Sequence, residues 1–435
     1  MVSYSNADDM LARRERLLGV GAALFYHEPV HLVRGEGAWV WDADGRRYLD
    51  AYNNVPCVGH ANPHVIEAMH RQAAMLNVHS RYLHDGVLDY AERLTGLHAS
   101  GLTTTVLTCT GTEANEVALT MARIATGGLG IIVTNSAYHG NSIEVRKLSR
   151  VRTRAHADPD VRAIPVPQRY RPLVDGLDDA AAGDSYLAAL REQIDSFAAD
   201  GVQFAGVLFC PILANEGLPD IPGNFMARAA ELVHDAGGLF ICDEVQAGFG
   251  RTGRWWGYQE MGFAPDIATM GKPMGNGLPL AGVVASADLV NTFRRETRYF
   301  NTFASSPLQA ATGMAVIDVI EQESLLESVT ATGAYLRDEL RSLAAGCEAI
   351  GDVRGYGLFV GVDWVTDRES KTPDVSGAET FVNAMRGRGV LMGKAGEHGN
   401  VLKIRPPLVF GRAHADVFLE AFRQTLREVD GNGAR

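Results

Sequence analysis

GLFICDEVQAGFGRTG, residues 238–253, is the stretch from which the fold can be read. A short apolar run, Leu239 to Cys242, ends on Asp243 and Glu244 and gives way to glycines and an arginine. An unbroken apolar run of this length has the character of a strand buried in a parallel sheet. A carboxylate at the carboxyl edge of such a strand is costly unless something pairs with it. Asp243 could cap a helix, meet a nearby arginine such as Arg251, or face the protonated nitrogen of a bound pyridine ring.

Similar runs lie on either side. TTVLTC (104–109), IIVT (131–134), AGVLFC (205–210) and AGVVAS (281–286) read as further buried strands of parallel character, with helical segments such as TGTEANEVALTMARIATGG (110–128), closed by two glycines, and 224–236 between them. This alternation predicts an α/β fold, a mainly parallel sheet flanked by helices. RGEGAWVWDADGRRYLD (34–50) alternates around a DADG turn and reads as a β-hairpin. After about residue 310 the chain turns to long amphipathic helices, GLFVGVDWV, a helix near 377–388 and VLKIRPPLVF, which suggests a smaller α+β domain. The expected division is 1–60 contributing to the small domain, 61–310 as the large domain and 311–435 as the rest of the small one. The Arg-, Pro- and Asp-rich stretch 151–184 reads as a surface excursion.

Composition narrows the function. The 435 residues are 46% hydrophobic and 21% charged, as in an ordinary globular protein, and the net charge of −12 argues against a nucleic-acid or anionic-membrane partner. The five cysteines form no CxxC pair or metal-like spacing and read as reduced core thiols. No signal-peptide core and no apolar run of about 18 residues appears, so the expected location is the cytoplasm. His60 and His64 have i, i+4 spacing but flank a proline-containing turn, and no metal site is expected.

Only five lysines occur, at 147, 272, 371, 394 and 403, so any chemistry needing an amine has five candidates. Lys272 sits in GKPMGNG (271–277), just after the strand-like DIATM, where glycine-rich backbone can position it. Surroundings that lower its pKa would make it a Schiff-base nucleophile; otherwise it is a surface lysine. In CTGTEANEVAL (109–119), Gly111 and Thr112 lie where strand turns into helix, so free backbone N–H groups and the helix dipole could receive a phosphate. Thr112 could equally be a simple N-cap. Tyr138 of AYHG (137–140) could stack on a flat ring or merely pack.

Taken together, and in this order and spacing, these segments resemble the class III aminotransferases of pyridoxal-phosphate (PLP) fold type I, over nearly the whole chain. The resemblance implies PLP as cofactor. Gly111 and Thr112 would bind its phosphate, Tyr138 and Val245 would pack on its ring, Asp243 would pair with the pyridine nitrogen and Gln246 would reach the phenolic oxygen. Lys272 would form the Schiff base and move protons. NTFASSP (301–307) resembles the segment in which a threonine, here Thr302, reaches the phosphate of the neighbouring subunit, which implies a homodimer with shared sites.

Departures from the family pattern bear on the substrate. CPILANEGLPD (210–220) places Asn215 where many members carry a switch glutamate, with Glu216 beside it. In VLKIRPPL (401–408), Lys403 lies where many relatives have arginine and Arg405 follows; on a strand both would share a face. Arg405 is favoured as the carboxylate ligand because its planar fork binds bidentately. YNNVPCVGH (52–60) and the wording above are most similar to the branch holding alanine–glyoxylate aminotransferases and ethanolamine-phosphate phospho-lyases, in which Asn53 and Asn54 would line the substrate pocket. The implied activity is ping-pong transfer of an amino group from an amine or amino acid to a small 2-oxo acid of the pyruvate or glyoxylate type. The alternative is a lyase that eliminates phosphate or ammonia from a phosphorylated amine. A non-enzymatic PLP-binding regulator is disfavoured by the complete catalytic set and the lack of a helix-turn-helix extension.

Overall fold

The structure, a computed structural model, describes residues 7–149 and 158–432. Seven strands form the central sheet, in the order Thr104–Thr108, Ala281–Ala285, Ile267–Met270, Leu239–Asp243, Phe204–Phe209, Gly130–Thr134 and Val161–Ile164. Six of them run in one direction. The exception is Ala281–Ala285, antiparallel to both neighbours, which corrects the parallel reading of AGVVAS. Its link to Met270, residues 271–280, contains only a single 3-10 turn and no crossover helix. A parallel return needs a connection of about a dozen residues or more, so the chain doubles back.

The helix Gly111–Thr126 shows how local sequence fixes an element. Thr110 accepts a hydrogen bond from the Glu113 N–H, and the Glu113 side chain reaches back to the preceding backbone, a reciprocal cap that starts the helix. Gly127, at φ +70°, ends it in the left-handed conformation that glycine tolerates. Between these stops Ala114, Val117, Ala118, Met121 and Ala122 bury one face against the sheet.

The stretch 151–184 differs from the sequence reading. Residues 150–157 lie outside the described residues, but Val161–Ile164 pairs in parallel with Ile131–Thr134 as the sheet's edge strand, and a helix begins at Asp179. The four-residue strand carries Arg162 among apolar residues, so its sequence has no apolar run to betray it.

Beyond Ser324 an antiparallel sheet, Ile350–Tyr356, Phe359–Asp367, Val401–Ile404 and Gly393–Ala395, is covered by helices that include Leu325–Ala344 and Val375–Gly387. Trp364, Phe381 and Phe422 pack in series there, with ring centroids 4.6 and 4.7 Å apart. The N-terminal strands Leu32–Glu36, Trp39–Asp42 and Arg47–Asp50 form a meander whose last member pairs in parallel with Val390–Leu391. Residues 32–50 thereby join the C-terminal unit. The helix Pro307–Gln322 spans the expected boundary at 310 and packs on the helices Pro63–Met75 and Asp85–Gly96.

A buried ionic knot fastens the C-terminal sheet to the rest. The fully buried Asp363 accepts from Arg171 at 2.7 and 2.9 Å, from Arg354 at 2.9 Å and from Asn400 at 2.8 Å. Arg171 belongs to the irregular segment before Asp179, and Arg354 also donates to the Gly217 carbonyl at 3.1 Å. Removing the carboxylate deprives Arg171 of its ion pair and the buried Arg354 of one of its two, the other being with Asp352. Asp363→Ala is therefore expected to destabilise the protein by about 3–5 kcal/mol, read from urea unfolding.

Candidate active site

Five of the segments singled out for chemistry leave the carboxyl ends of the six co-directional strands. Gly111 and Thr112 follow Thr104–Thr108, Tyr138–Gly140 follow Gly130–Thr134, Cys210 to Glu216 follow Phe204–Phe209, Val245 and Gln246 follow Leu239–Asp243, and Lys272 follows Ile267–Met270. That edge is where open α/β sheets bind ligands. Gly111, Thr112, Tyr138, Asp243, Val245, Gln246 and Lys272 line one well, with His139, Gly140, Cys210 and Asn215. A chamber of about 1020 Å³ continues outward from it, walled by Tyr52, Arg146, Lys394, Glu397, His398, Lys403 and Arg405 among others.

Asp243 sits at the floor and is buried. Its Oδ2 lies 2.6 Å from His139 Nδ1 and accepts from Asn115 Nδ2 at 3.1 Å, while Oδ1 accepts from the Val245 N–H at 3.0 Å. An ionised carboxylate can only accept, so the His139 proton is on Nδ1. Burial pushes the Asp243 carboxyl up, but the His139 hydrogen bond, the His139 and Lys272 charges and the Val245 N–H together hold it below its ordinary value. Asn115 is itself fixed, donating to the His139 carbonyl at 2.7 Å and accepting from Thr269 at 2.7 Å. Of the three partners open to Asp243 in the sequence, Arg251 is excluded: it is buried elsewhere and donates to the Leu358 and Pro406 carbonyls.

The N-cap of the helix Gly111–Thr126 is Thr110, not Thr112. The Glu113 carboxylate occupies the Cys109 and Thr110 N–H groups at 2.7 and 3.0 Å. That leaves the Gly111 and Thr112 N–H groups and the Thr112 hydroxyl directed to the well at a positive helix end. The cradle has no room for extra atoms. A Cβ on Gly111 would lie 2.9 Å from Val245 Cγ1, and one on Gly140, at φ +147°, 2.6 Å from Thr112 Oγ1.

Lys272 is half-buried, and its amine makes no hydrogen bond to any described residue. Burial chiefly, and the charge of Arg405, lower its pKa, while Asp243 and Cys210 pull it upward. Gln246 is the joint between well and chamber. Its Oε1 accepts from both Lys403, at 3.3 Å, and Arg405, and its Nε2 donates to Asn215 Oδ1 at 2.9 Å. Asn215 donates in turn to the Tyr138 carbonyl at 3.2 Å. Glu216 points away from the chamber, accepting from Thr134 at 2.5 Å and from the Asn215 N–H at 3.0 Å.

Three expected residues, Asn53, Asn54 and Thr302, line neither the well nor the chamber. Asn54 is buried outside the chamber lining, with its amide nitrogen unpartnered. Asp50 hooks the Tyr52 and Asn53 N–H groups at 3.0 and 2.9 Å, and from this turn it is Tyr52 that lines the chamber, under the Arg405 guanidinium. Thr302 is exposed and lines neither cavity of its own chain. His60 and His64 bond to different carboxylates, Asp50 at 2.7 Å and Asp318 at 3.3 Å. Sequence reasoning missed His139 and Asn115, although both stand inside motifs quoted for other residues, and missed the chamber residues Arg146, Lys394 and His398.

Fold and site define an α/β enzyme built to hold a flat, phosphorylated, cationic heteroaromatic ring beside an amine. The Aminotransferase class-III family model matches residues 24–426, and the chain belongs to that family, whose members depend on pyridoxal 5′-phosphate. It is 36% identical to "alanine–glyoxylate aminotransferase 2 homolog 2, mitochondrial" of Arabidopsis thaliana, over 98% of this chain and 88% of that one. With "ethanolamine-phosphate phospho-lyase homolog 1" of Caenorhabditis elegans it shares 33% identity, over 96% and 93%. Among solved structures, a phospholyase from Arthrobacter in complex with phosphoethanolamine matches with a TM-score of 0.92 and 42% identity, covering 96% of this chain and 99% of that one. An (S)-enantioselective omega-transaminase from Thermomicrobium roseum matches at 0.87 and 29%, covering 98% and 100%.

The residues present fit this cofactor: free N–H groups for a phosphate, a buried ionised Asp243 for the ring nitrogen, and Lys272 within the same well. Borohydride reduction followed by peptide mapping is expected to place the pyridoxyl group on Lys272 and on none of the other four lysines. Asp243→Asn is expected to retain cofactor absorbance and to lose roughly 10²–10³-fold in turnover, since a preorganised charge at the reacting ring is removed.

Proposed function

We propose that the enzyme transfers an amino group from an amine or amino-acid donor to a small 2-oxo acid of the pyruvate or glyoxylate type. When bound, pyridoxal phosphate supplies the electron sink that acidifies the substrate Cα–H. Lys272 removes the Cα proton and redelivers it, work for which its burial suits it by favouring the neutral amine. Asp243 keeps a positive charge opposite itself, and His139 and Asn115 keep Asp243 ionised and aimed. Gly111 and Thr112 hold the phosphate, and Tyr138 and Val245 confine the ring. Lys403 and Arg405 receive the substrate's acid group at the junction of well and chamber. The observation that carries this reading is the convergence of Lys272 and Asp243 in one well, in a chain 36% identical to an alanine–glyoxylate aminotransferase homologue. With Glu216 locked and Asn215 neutral, neither residue at the expected switch position counters Arg405, which favours small acceptors over glutamate or 2-oxoglutarate.

A second reading, elimination from a phosphorylated amine, is favoured by the charge of the chamber. In a protein of net charge −12, Arg146, Lys272, Lys394, Lys403 and Arg405 line it against one carboxylate, Glu397, among the described residues. The likeness to the Arthrobacter phospholyase supports the same reading. The two separate cleanly with purified enzyme and donor alone. Transamination is expected to release about one keto product per site and halt until a 2-oxo acid is added. Continuous release of ammonia, or of phosphate from phosphoethanolamine, without any acceptor would establish the lyase instead.

We further propose a homodimer in which Thr302 serves the partner's site, and a cytoplasmic location. Support comes from the exposed apolar side chains of Phe300 and Phe303, which flank Thr302 in sequence. Mixing Lys272→Ala with Thr302→Ala subunits is expected to recover activity above either variant alone. Such recovery requires that one chain's Thr302 complete a site holding the other's lysine.

A further inference from the structure

We propose that Lys403 stands in the free enzyme as a neutral amine and takes up a proton when a substrate anion binds beside it and Arg405, so that it selects for anionic substrates. The inference rests on the reading that this pair receives the substrate's acid group.

The surroundings of Lys403 carry the argument. It is buried, and among the described residues its amine has one hydrogen-bond partner, Gln246 Oε1 at 3.3 Å, an uncharged oxygen that it shares with Arg405. The Phe359 ring lies 5.2 Å from the amine. Neither Lys403 nor Arg405 forms an ion pair with any described carboxylate. From its own strand it meets the charge of Arg405; across the chamber stand Lys272, Lys394, Arg146 and His398, with Glu397 on the rim. From the loop after Phe209 come Cys210 and Glu216, whose carboxylate is engaged by Thr134 and the Asn215 N–H. Two cations on one amide oxygen, with no counter-anion, are an unfavourable resting state in a buried site. Arginine does not give up its proton, so the lysine must. Burial first, then the Arg405 charge, hold the Lys403 amine well below its usual range against the opposing effects of Cys210 and Glu216, with a lesser lowering by Lys272.

An incoming carboxylate, phosphate or sulfonate supplies the missing charge. The Nζ then goes from NH2 to NH3+, the proton arriving from water through the chamber mouth, and no covalent bond between heavy atoms changes. By linkage, the anion raises the amine's proton affinity as much as the proton raises the anion's. Between the free and anion-bound pKa values, affinity falls by up to about tenfold for each unit of rising pH; below that window it is flat. An arginine at this position could bind the anion but not couple it to a proton.

The test is calorimetry on the holoenzyme with propionate and with ethanesulfonate, two fully ionised probes that carry no amine and so cannot react. Titration near pH 8 in two buffers of different ionisation enthalpy gives the protons taken up. Uptake approaching about one proton per site is expected for the wild type. Lys403→Arg should bind either probe with no uptake and no pH slope in this range. Lys403→Met should lose uptake and bind about tenfold or more weakly, the scale of a charged hydrogen bond. Binding to the wild type without uptake would overturn the proposal and leave the anion-site reading intact, as would equal uptake in Lys403→Arg, which would assign the proton elsewhere. Failure of both probes to bind the wild type would overturn the anion-site reading itself. The wild-type and Lys403→Arg measurements decide the matter even if Lys403→Met folds poorly.

Discussion

The site depends on one ionised carboxylate kept where ionisation is least favourable. Asp243 ends a strand with strands on both sides, and burial alone would neutralise it. Its charge survives because His139, Asn115 and the Val245 N–H all donate to it. These donors come from three elements: the turn after Gly130–Thr134, the helix Gly111–Thr126 and the start of the loop that carries Gln246. The sheet order that brings them together is therefore a requirement of the charge as much as a consequence of the hydrophobic pattern.

The same economy appears at the other end of the site, with the opposite sign. Gln246 Oε1 is a single acceptor for the Lys403 amine and the Arg405 guanidinium, and Asn215 accepts from the amide nitrogen of the same side chain. Negative charge at the floor and positive charge at the mouth give the cavity a polarity along its length. A zwitterionic amine with an acid group at its far end matches that polarity, the nitrogen toward Lys272 and the anion toward Arg405.

Much of this was legible in the sequence because it is encoded locally. Apolar runs with glycine-bearing turns announced the sheet, and GKPMGNG isolated Lys272 among five lysines. What escaped was set by distant partners. Nothing in AYHG says that the histidine, rather than the tyrosine, reaches Asp243, because that contact spans 104 positions. The reversal of Ala281–Ala285 comes from the connection before it, and a strand's own apolar pattern is indifferent to its direction. Asn54 looked like a pocket residue beside Tyr52, yet the backbone hook onto Asp50 aims the aromatic at the chamber instead. The Arg171–Asp363 contact spans 192 positions, so the irregular stretch that read as surface contributes to a buried knot.

The arginine bias of the chain acquires a meaning once the lysines are located. None of the five is exposed: Lys147 is engaged by Glu144 and Asp160, Lys371 donates to the Tyr170 carbonyl, and Lys272, Lys394 and Lys403 line the chamber. The exterior carries its positive charge on guanidinium groups, which activated esters and simple monoaldehydes leave alone under mild conditions. Reactive aldehydes and activated esters that meet this protein therefore find few side-chain amines outside the cavity where an amine is useful. Covalent coupling through lysine is, for this molecule, a way of addressing its interior.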